Sequence, residues 1–200
     1  MSTASLRYPR SVLTVAGACF LALTGAILVL GAVPADSSVR HGLLAMATPA
    51  VVAVMRIVNR AGDWRVLLPG TLLLFVVFRR ARERWWLWAG LMAVAPLLEG
   101  SFKYLVGRPR PEDASLGFPS GHSTAAAAFF GAVLYLSGPL PPARRRLVRA
   151  LAATCMLLVG IARIVLRAHW PSDVLGGVTL GLGLATVTAL LASLHAEPRS

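Results

Sequence analysis

An all-α bundle of six membrane-crossing helices, with one further interfacial or re-entrant helical segment between the first two, is the fold this sequence predicts. Three observations carry that expectation. The chain is 56% hydrophobic and only 14% charged, with a mean hydropathy of +0.70. A water-soluble domain carries about 25% charge, so too little polar surface remains to cover an exterior facing water. Uncharged stretches long enough for a bilayer recur along the chain, and arginines gather in short clusters between them.

Crossing the hydrocarbon core takes about 20 mostly apolar residues as helix. Residues 11–33 supply 23 uncharged residues after Arg7 and Arg10. The apolar core of a cleaved signal sequence is about 7–15 residues long, so a retained first span is expected. Residues 42–58 are apolar but carry Pro49 and Arg56, which suits a re-entrant or interfacial helix better than a span. Residues 66–78 number only 13, yet Arg65 and Arg79 flank them and can snorkel, so a short second span is expected. The third span, 85–102, opens on tryptophans and carries Glu99 near its far end. The fourth is 121–140, the fifth 147–166 with Arg163 in its last turn, and the sixth 174–194. Gly176, Gly177, Gly181 and Gly183 would let a neighbouring helix approach the sixth closely. Cys19 and Cys155 lie inside apolar runs and read as small core hydrophobes. The whole chain, 1–200, reads as a single domain with its motif-bearing core at 99–194.

The net charge is +12, from 20 basic and 8 acidic residues. Such a balance brings nucleic acid to mind, but the arginines alternate with apolar runs and form no continuous basic face. They read instead as topology signals. With six spans, Arg79, Arg80, Arg82 and Arg84, then Arg144, Arg145, Arg146 and Arg149, share a face with Arg7 and Arg10. That face is cytoplasmic by the positive-inside rule, as are both termini. A seventh span would set the N-terminus against the clusters. The loops after spans three and five then share the outer face, together with the segment 34–65, which holds no decisive motif. Of the 20 basic residues 19 are Arg, and Lys103 is the single Lys, which hints that position 103 needs an ammonium.

Those two outer loops hold most of the unusual polar residues. Pro119-Ser120-Gly121-His122 stands where the fourth span begins, with Ser120 as a natural N-cap. A helix start binds anions through its dipole and unpaired N–H groups, and Gly121 lets an anion approach the backbone. Pro171 suits the first turn of the sixth span, with Ser172 and Asp173 beside it. Lys103, Arg110 and Arg163 lie at the same depth. Two histidines (His122 and His169), Asp173 and these three cations describe a pocket for a phosphoryl group, whose transition state spreads negative charge over three oxygens. Arg108 and Arg167 read as anchors facing lipid headgroups. Glu99, Glu112 and Asp113 read as acids that orient arginines or face water.

Here the sequence resembles the type 2 phosphatidic acid phosphatase (PAP2) superfamily of lipid phosphatases. Lys103 is followed seven residues later by Arg110-Pro111; then come Pro119-Ser120-Gly121-His122, and Arg163, His169 and Asp173 at the family's intervals. The resemblance spans roughly residues 103–177 and departs at Ala162, where the family pattern usually has Ser. It implies that His169 attacks phosphorus, that Asp173 orients it, and that His122 moves the proton. Lys103, Arg110 and Arg163 would hold the phosphate, with Ser120 and the Gly121 N–H as further donors. It implies no metal or other cofactor, and a membrane lipid phosphate in the bilayer as substrate, with no nucleic acid partner. Phosphatidic acid, phosphatidylglycerol phosphate and undecaprenyl pyrophosphate are the candidate lipids, hydrolysed on the extracytoplasmic side of the cell membrane. A lipid phosphotransferase and a non-catalytic lipid-binding or transport protein are the alternatives. Vanadium-dependent haloperoxidases resemble the same motifs but are larger and soluble.

Overall fold

The computed structural model describes residues 3–194, and the side chains from position 9 onward. The side chain of Arg7 and the two extreme termini, read above as cytoplasmic, lie outside the described residues. The architecture is all-helical: α1 (Thr3–Leu30), α2 (Ala35–Ala45), α3 (Pro49–Asn59), α4 (Trp64–Val77), α5 (Arg79–Glu83), α6 (Trp85–Val106), α7 (Gly121–Leu136), α8 (Pro142–Val165) and α9 (Pro171–Leu194), with a short 3₁₀ turn at Arg60–Gly62. Four of these contain stretches both long and apolar enough to cross a membrane: Pro9–Leu30, Trp85–Val106, Pro142–Val165 and Pro171–Leu194. Large apolar side chains such as Leu21, Leu73, Val76 and Leu97 are exposed, as lipid-facing residues should be.

The expected second and fourth spans are shorter helices, 14 residues in α4 and 16 in α7. The segment at 42–58 is not one helix. Thr48 and Pro49 break it, with Thr48 Oγ1 accepting from the Val51 N–H at 3.3 Å to start α3. The α2 and α3 arms meet at 115°. Proline has no N–H to continue α2 but is preorganised for a first turn.

Among the described elements, helices α7 and α9 share the most extensive contact, and small residues explain it. A Cβ on Gly177 would stand 2.5 Å from the Ser120 carbonyl oxygen and one on Gly131 2.8 Å from the Ala185 Cβ. Gly181 meets Thr124 and Ala127 across the same seam. Gly183, read with these as a contact glycine, has nothing within 4 Å, because it turns to another face of α9. Leu67, Leu74, Trp88, Leu91, Phe129 and Leu136 fill the core beside this seam. Helix α1 packs along α9 and reaches the motif-bearing end through Phe20, whose ring lies edge-on to Phe102 at 4.7 Å and stacks on Phe118 at 5.8 Å.

Both arginine clusters meet at the opposite end. Arg145 donates to the Gly138 carbonyl at 3.3 Å and Arg149 to Ser137 Oγ at 3.3 Å. Arg80 lies within 3.9 Å of a Cβ placed on Gly138, and Arg84 donates to the Ala192 carbonyl at the end of α9.

Candidate active site

The site is built by three chain reversals. Helix α6 ends in Gly107 at φ +66, a left-handed cap that a residue with a Cβ adopts only with strain. Its N–H bonds back to the Lys103 carbonyl at 2.9 Å, so Lys103 stays in the last helical turn and Arg108 turns inward. The following loop closes on itself through Gly117 N–H to Arg108 O at 2.7 Å and Arg110 N–H to Ser115 O at 3.0 Å. Arg110 Nε also donates to the Leu116 carbonyl at 3.3 Å, which holds its guanidinium at the loop's edge.

At the end of α8, Arg167 takes φ +61, its N–H reaches the Ile164 carbonyl at 2.9 Å, and the Ala168 N–H reaches the Arg163 carbonyl at 3.0 Å. This pair of bonds is a Schellman cap with arginine in the position glycine usually takes. It folds His169 back over the last turn of α8, where Arg163 sits. Two residues on, Pro171 opens α9 as expected.

The third reversal opens α7. Ser120 occupies the N-cap position, but its hydroxyl does not cap the helix. Ser120 Oγ accepts from Ser123 Oγ at 3.1 Å, and the Ser120 N–H donates to the Asp173 carbonyl at 2.9 Å. The start of α7 is therefore bonded directly to the start of α9.

His169 is buried, 1% exposed, and its Nδ1 lies 3.4 Å from Asp173 Oδ2. That oxygen also accepts from the Trp170 N–H at 3.0 Å. Burial pushes the imidazole below its ordinary value near 6.5; Asp173 pulls the other way, and the charges of Arg163 and Arg110 add to the depression. The result is a neutral imidazole at neutral pH, with Nδ1–H directed at the carboxylate and the Nε2 lone pair left free of it. His122, in the first turn of α7, lines a cavity of about 200 Å³ with Gly62, Asp63, Trp64, Pro96, Glu99 and Ala125. The cations have their own partners. Lys103 Nζ pairs with Glu99 Oε1 at 2.5 Å, and Arg163 Nη1 donates to Asn59 Oδ1 at 2.9 Å.

All eight expected site residues come to one end of the bundle. Arg108 does not face the headgroups as the sequence suggested. It is 5% exposed and bonds Asp36, Ser172 and Asp173, because Gly107 directs it into the bundle. Arg167 is exposed as expected and pairs with Glu112 at 3.1 Å. Asp36, Asn59 and the pairing role of Glu99 were not read from the sequence. Asn59 is the only asparagine in the chain and Asp36 one of 8 acids, and that scarcity was the only signal. Among the described residues, no three His, Cys, Asp or Glu side chains are grouped to hold a metal ion.

Two helix starts, a buried His–Asp pair and three cations gather at one end of a multi-pass membrane protein. The chain belongs to the PAP2 superfamily, whose profile matches residues 84–195. It is 29% identical over 177 residues to phosphatidylglycerophosphatase B of Bacillus subtilis, covering 82% of this chain and 86% of that one. With decaprenylphosphoryl-5-phosphoribose phosphatase of Mycobacterium tuberculosis it shares 35% identity over 163 residues, 72% of this chain and 81% of the other. Its fold matches the crystal structure of a transmembrane PAP2-type phosphatidylglycerolphosphate phosphatase from Bacillus subtilis with a TM-score of 0.77 at 27% identity, over 96% of this chain and 98% of that one.

Proposed function

We propose that this chain is an integral membrane phosphatase that hydrolyses a lipid phosphate or pyrophosphate through a phosphohistidine on His169. The observation that carries the reading is the buried His169–Asp173 pair, bonded through Ser120 to the helix start that bears His122.

In the first step the His169 Nε2 lone pair forms the N–P bond while the bond from phosphorus to the leaving oxygen breaks. His122 gives its proton to that oxygen. Asp173 stabilises the positive charge on the imidazole through Nδ1–H. In the second step water gives a proton to His122 and its oxygen bonds to phosphorus. The N–P bond breaks, inorganic phosphate leaves, and His169 returns to its neutral form. Lys103, Arg110 and Arg163 balance the charge on the phosphoryl oxygens, with Ser120 Oγ and the Gly121 N–H as further donors. The cavity beside His122 has room for the leaving group, and Trp64, Pro96 and Ala125 give it an apolar wall.

The relatives named above are phosphatases of phosphatidylglycerophosphate and of a decaprenyl-linked phosphosugar, which supports a lipid substrate. Phosphatidic acid, phosphatidylglycerol phosphate and undecaprenyl pyrophosphate are the substrates to compare. We read α4 and α7 as short spans completing a six-span bundle, at about 21 and 24 Å by helical rise. Convergence of both arginine clusters at the end away from the site supports an extracytoplasmic active site. Phosphate release from the three lipids in detergent, with EDTA present, tests the chemistry. Turnover that survives EDTA and disappears in His169→Ala is expected; no turnover on any of the three lipids would overturn the reading, and loss with EDTA would overturn its metal independence.

A further inference from the structure

A densely bonded polar group lies behind the His169–Asp173 pair. Asp36, in the first turn of α2, is 3% exposed. Its Oδ1 accepts from the Ser172 N–H at 2.8 Å, and its Oδ2 accepts from Ser172 Oγ at 2.6 Å and Arg108 Nη2 at 2.6 Å. The other guanidinium nitrogen, Nη1, donates to Ser172 Oγ at 2.6 Å and to Asp173 Oδ1 at 2.8 Å. Asp173 Oδ1 is thereby occupied, and Oδ2 is the oxygen presented to His169 Nδ1. The Trp170 ring covers the arrangement, with Arg40 at 5.5 Å and Arg108 at 5.6 Å from its centroid.

The charges explain why two carboxylates share one guanidinium. With His169 neutral, Asp36, Arg108 and Asp173 carry a net charge of minus one inside a water-poor region. When Nε2 bonds to phosphorus the imidazole becomes cationic, and the group as a whole is neutralised. A buried charge imbalance costs free energy unless something compensates it, so this imbalance favours the step that makes His169 positive.

We propose that Arg108 and Asp36 are positioning residues for catalysis: Arg108 fixes the Asp173 carboxylate so that Oδ2 faces His169, and Asp36 draws off part of the arginine's charge so that Asp173 stays strongly anionic. The inference rests on the reading of His169 as nucleophile. It gives α2 a task beyond covering the bundle, since the helix delivers Asp36 from 136 residues away in sequence.

The pH profile separates positioning from simple structural support. Besides Asp173, the charged groups that act on His169 are Arg163 from α8, Arg110 and Asp113 from the loop before α7, and His122 from α7; none of them is altered in the variants. Asp36→Asn keeps one acceptor, for the Ser172 N–H, and replaces the oxygen shared by Ser172 Oγ and Arg108 with an amide NH2. Arg108 is then bound mainly to Asp173, so the acid limb of kcat should move to lower pH. Arg108→Gln leaves both carboxylates without their cation, and the limb should move to higher pH. In each, kcat for phosphatidic acid in detergent micelles should fall roughly ten- to a hundredfold with KM little changed, as for residues that orient metal-bound histidines. NMR titration of the His169 imidazole reads the same opposite shifts without substrate, should either variant lose turnover or phosphatidic acid prove a poor probe. A folded Asp36→Asn protein with wild-type kcat and an unmoved His169 titration overturns the inference. If His169→Ala itself retains turnover, the nucleophile assignment is what has failed.

Discussion

The Ser120 N–H donates to the Asp173 carbonyl at 2.9 Å, so the helix that carries His122 and the helix that carries Asp173 start from one shared hydrogen bond. The relationship depends on how closely α7 and α9 approach, which Gly177 permits. In Gly177→Ala the new Cβ would stand 2.5 Å from the Ser120 carbonyl oxygen, a backbone atom with nowhere to go. Overpacking costs about 1–3 kcal/mol, against at most about 1 kcal/mol gained in helix propensity. A lower melting temperature in detergent and loss of phosphate release are expected. Gly183→Ala, with nothing within 4 Å, should leave both unchanged.

Burial holds the His169 imidazole below its ordinary value, so the proposed nucleophile stays neutral on mild acidification. Turnover should persist through pH 6.5, the ordinary histidine value, and fall only at lower pH. Stability moves in the same direction. The unfolded chain takes up a proton at this histidine near pH 6.5 while the folded one does not, so stability declines as pH drops through that value toward the lower folded one. Profiles of kcat and of melting temperature against pH, each compared with His169→Ala, check both statements; the stability slope should flatten in the variant.

Asn59 accepts from Arg163 Nη1 at 2.9 Å across the interface of α3 and α8. In Asn59→Ala the guanidinium loses this side-chain anchor. A hydrogen bond to a charged group contributes about 1.5–3 kcal/mol, part of which water restores here. A roughly three- to thirtyfold weaker inhibition by inorganic phosphate is expected, with smaller changes in melting temperature.

Glu99 and Lys103 pair at 2.5 Å, one turn apart on α6, and both side chains are largely buried. If Lys103 holds the substrate phosphate as proposed, Glu99→Gln would remove a carboxylate that competes for the ammonium, but it would also release the ammonium from its place. If geometry governs, KM rises; if competition governs, KM falls. The short pair distance favours geometry, so a higher KM is expected, and steady-state kinetics on the preferred lipid will measure it.

Arg167 holds a left-handed conformation at φ +61 in the cap that places His169. Arg167→Gly relieves about 1 kcal/mol of backbone strain and loses an exposed pair with Glu112, which contributes between zero and about 1 kcal/mol. Melting temperature should be unchanged or slightly higher. Glu112 also pairs with Arg40 of α2, and a marked fall would mean that these two pairs together hold the loops to α2 more strongly than exposed ion pairs usually do.

The sequence by itself determined what is local. Long uncharged runs could only be helices in lipid, since no other open structure satisfies the backbone there. Pro171 and Gly107 mark helix ends in any context, and the spacing of Lys103, Arg110, Ser120, His122, Arg163, His169 and Asp173 placed them at helix boundaries. What it left open is long-range. Arg108 looked like a surface arginine because nothing within its own helix or loop pairs with it; its partners are 64 to 72 residues away. Asp36 and Asn59 lie in the segment without a motif, and their roles exist only where α2 and α3 bend back onto α8 and α9. A buried charge must find compensation or not be buried at all. Which distant group supplies that compensation is decided by how the helices pack, and only the tertiary structure carries that information.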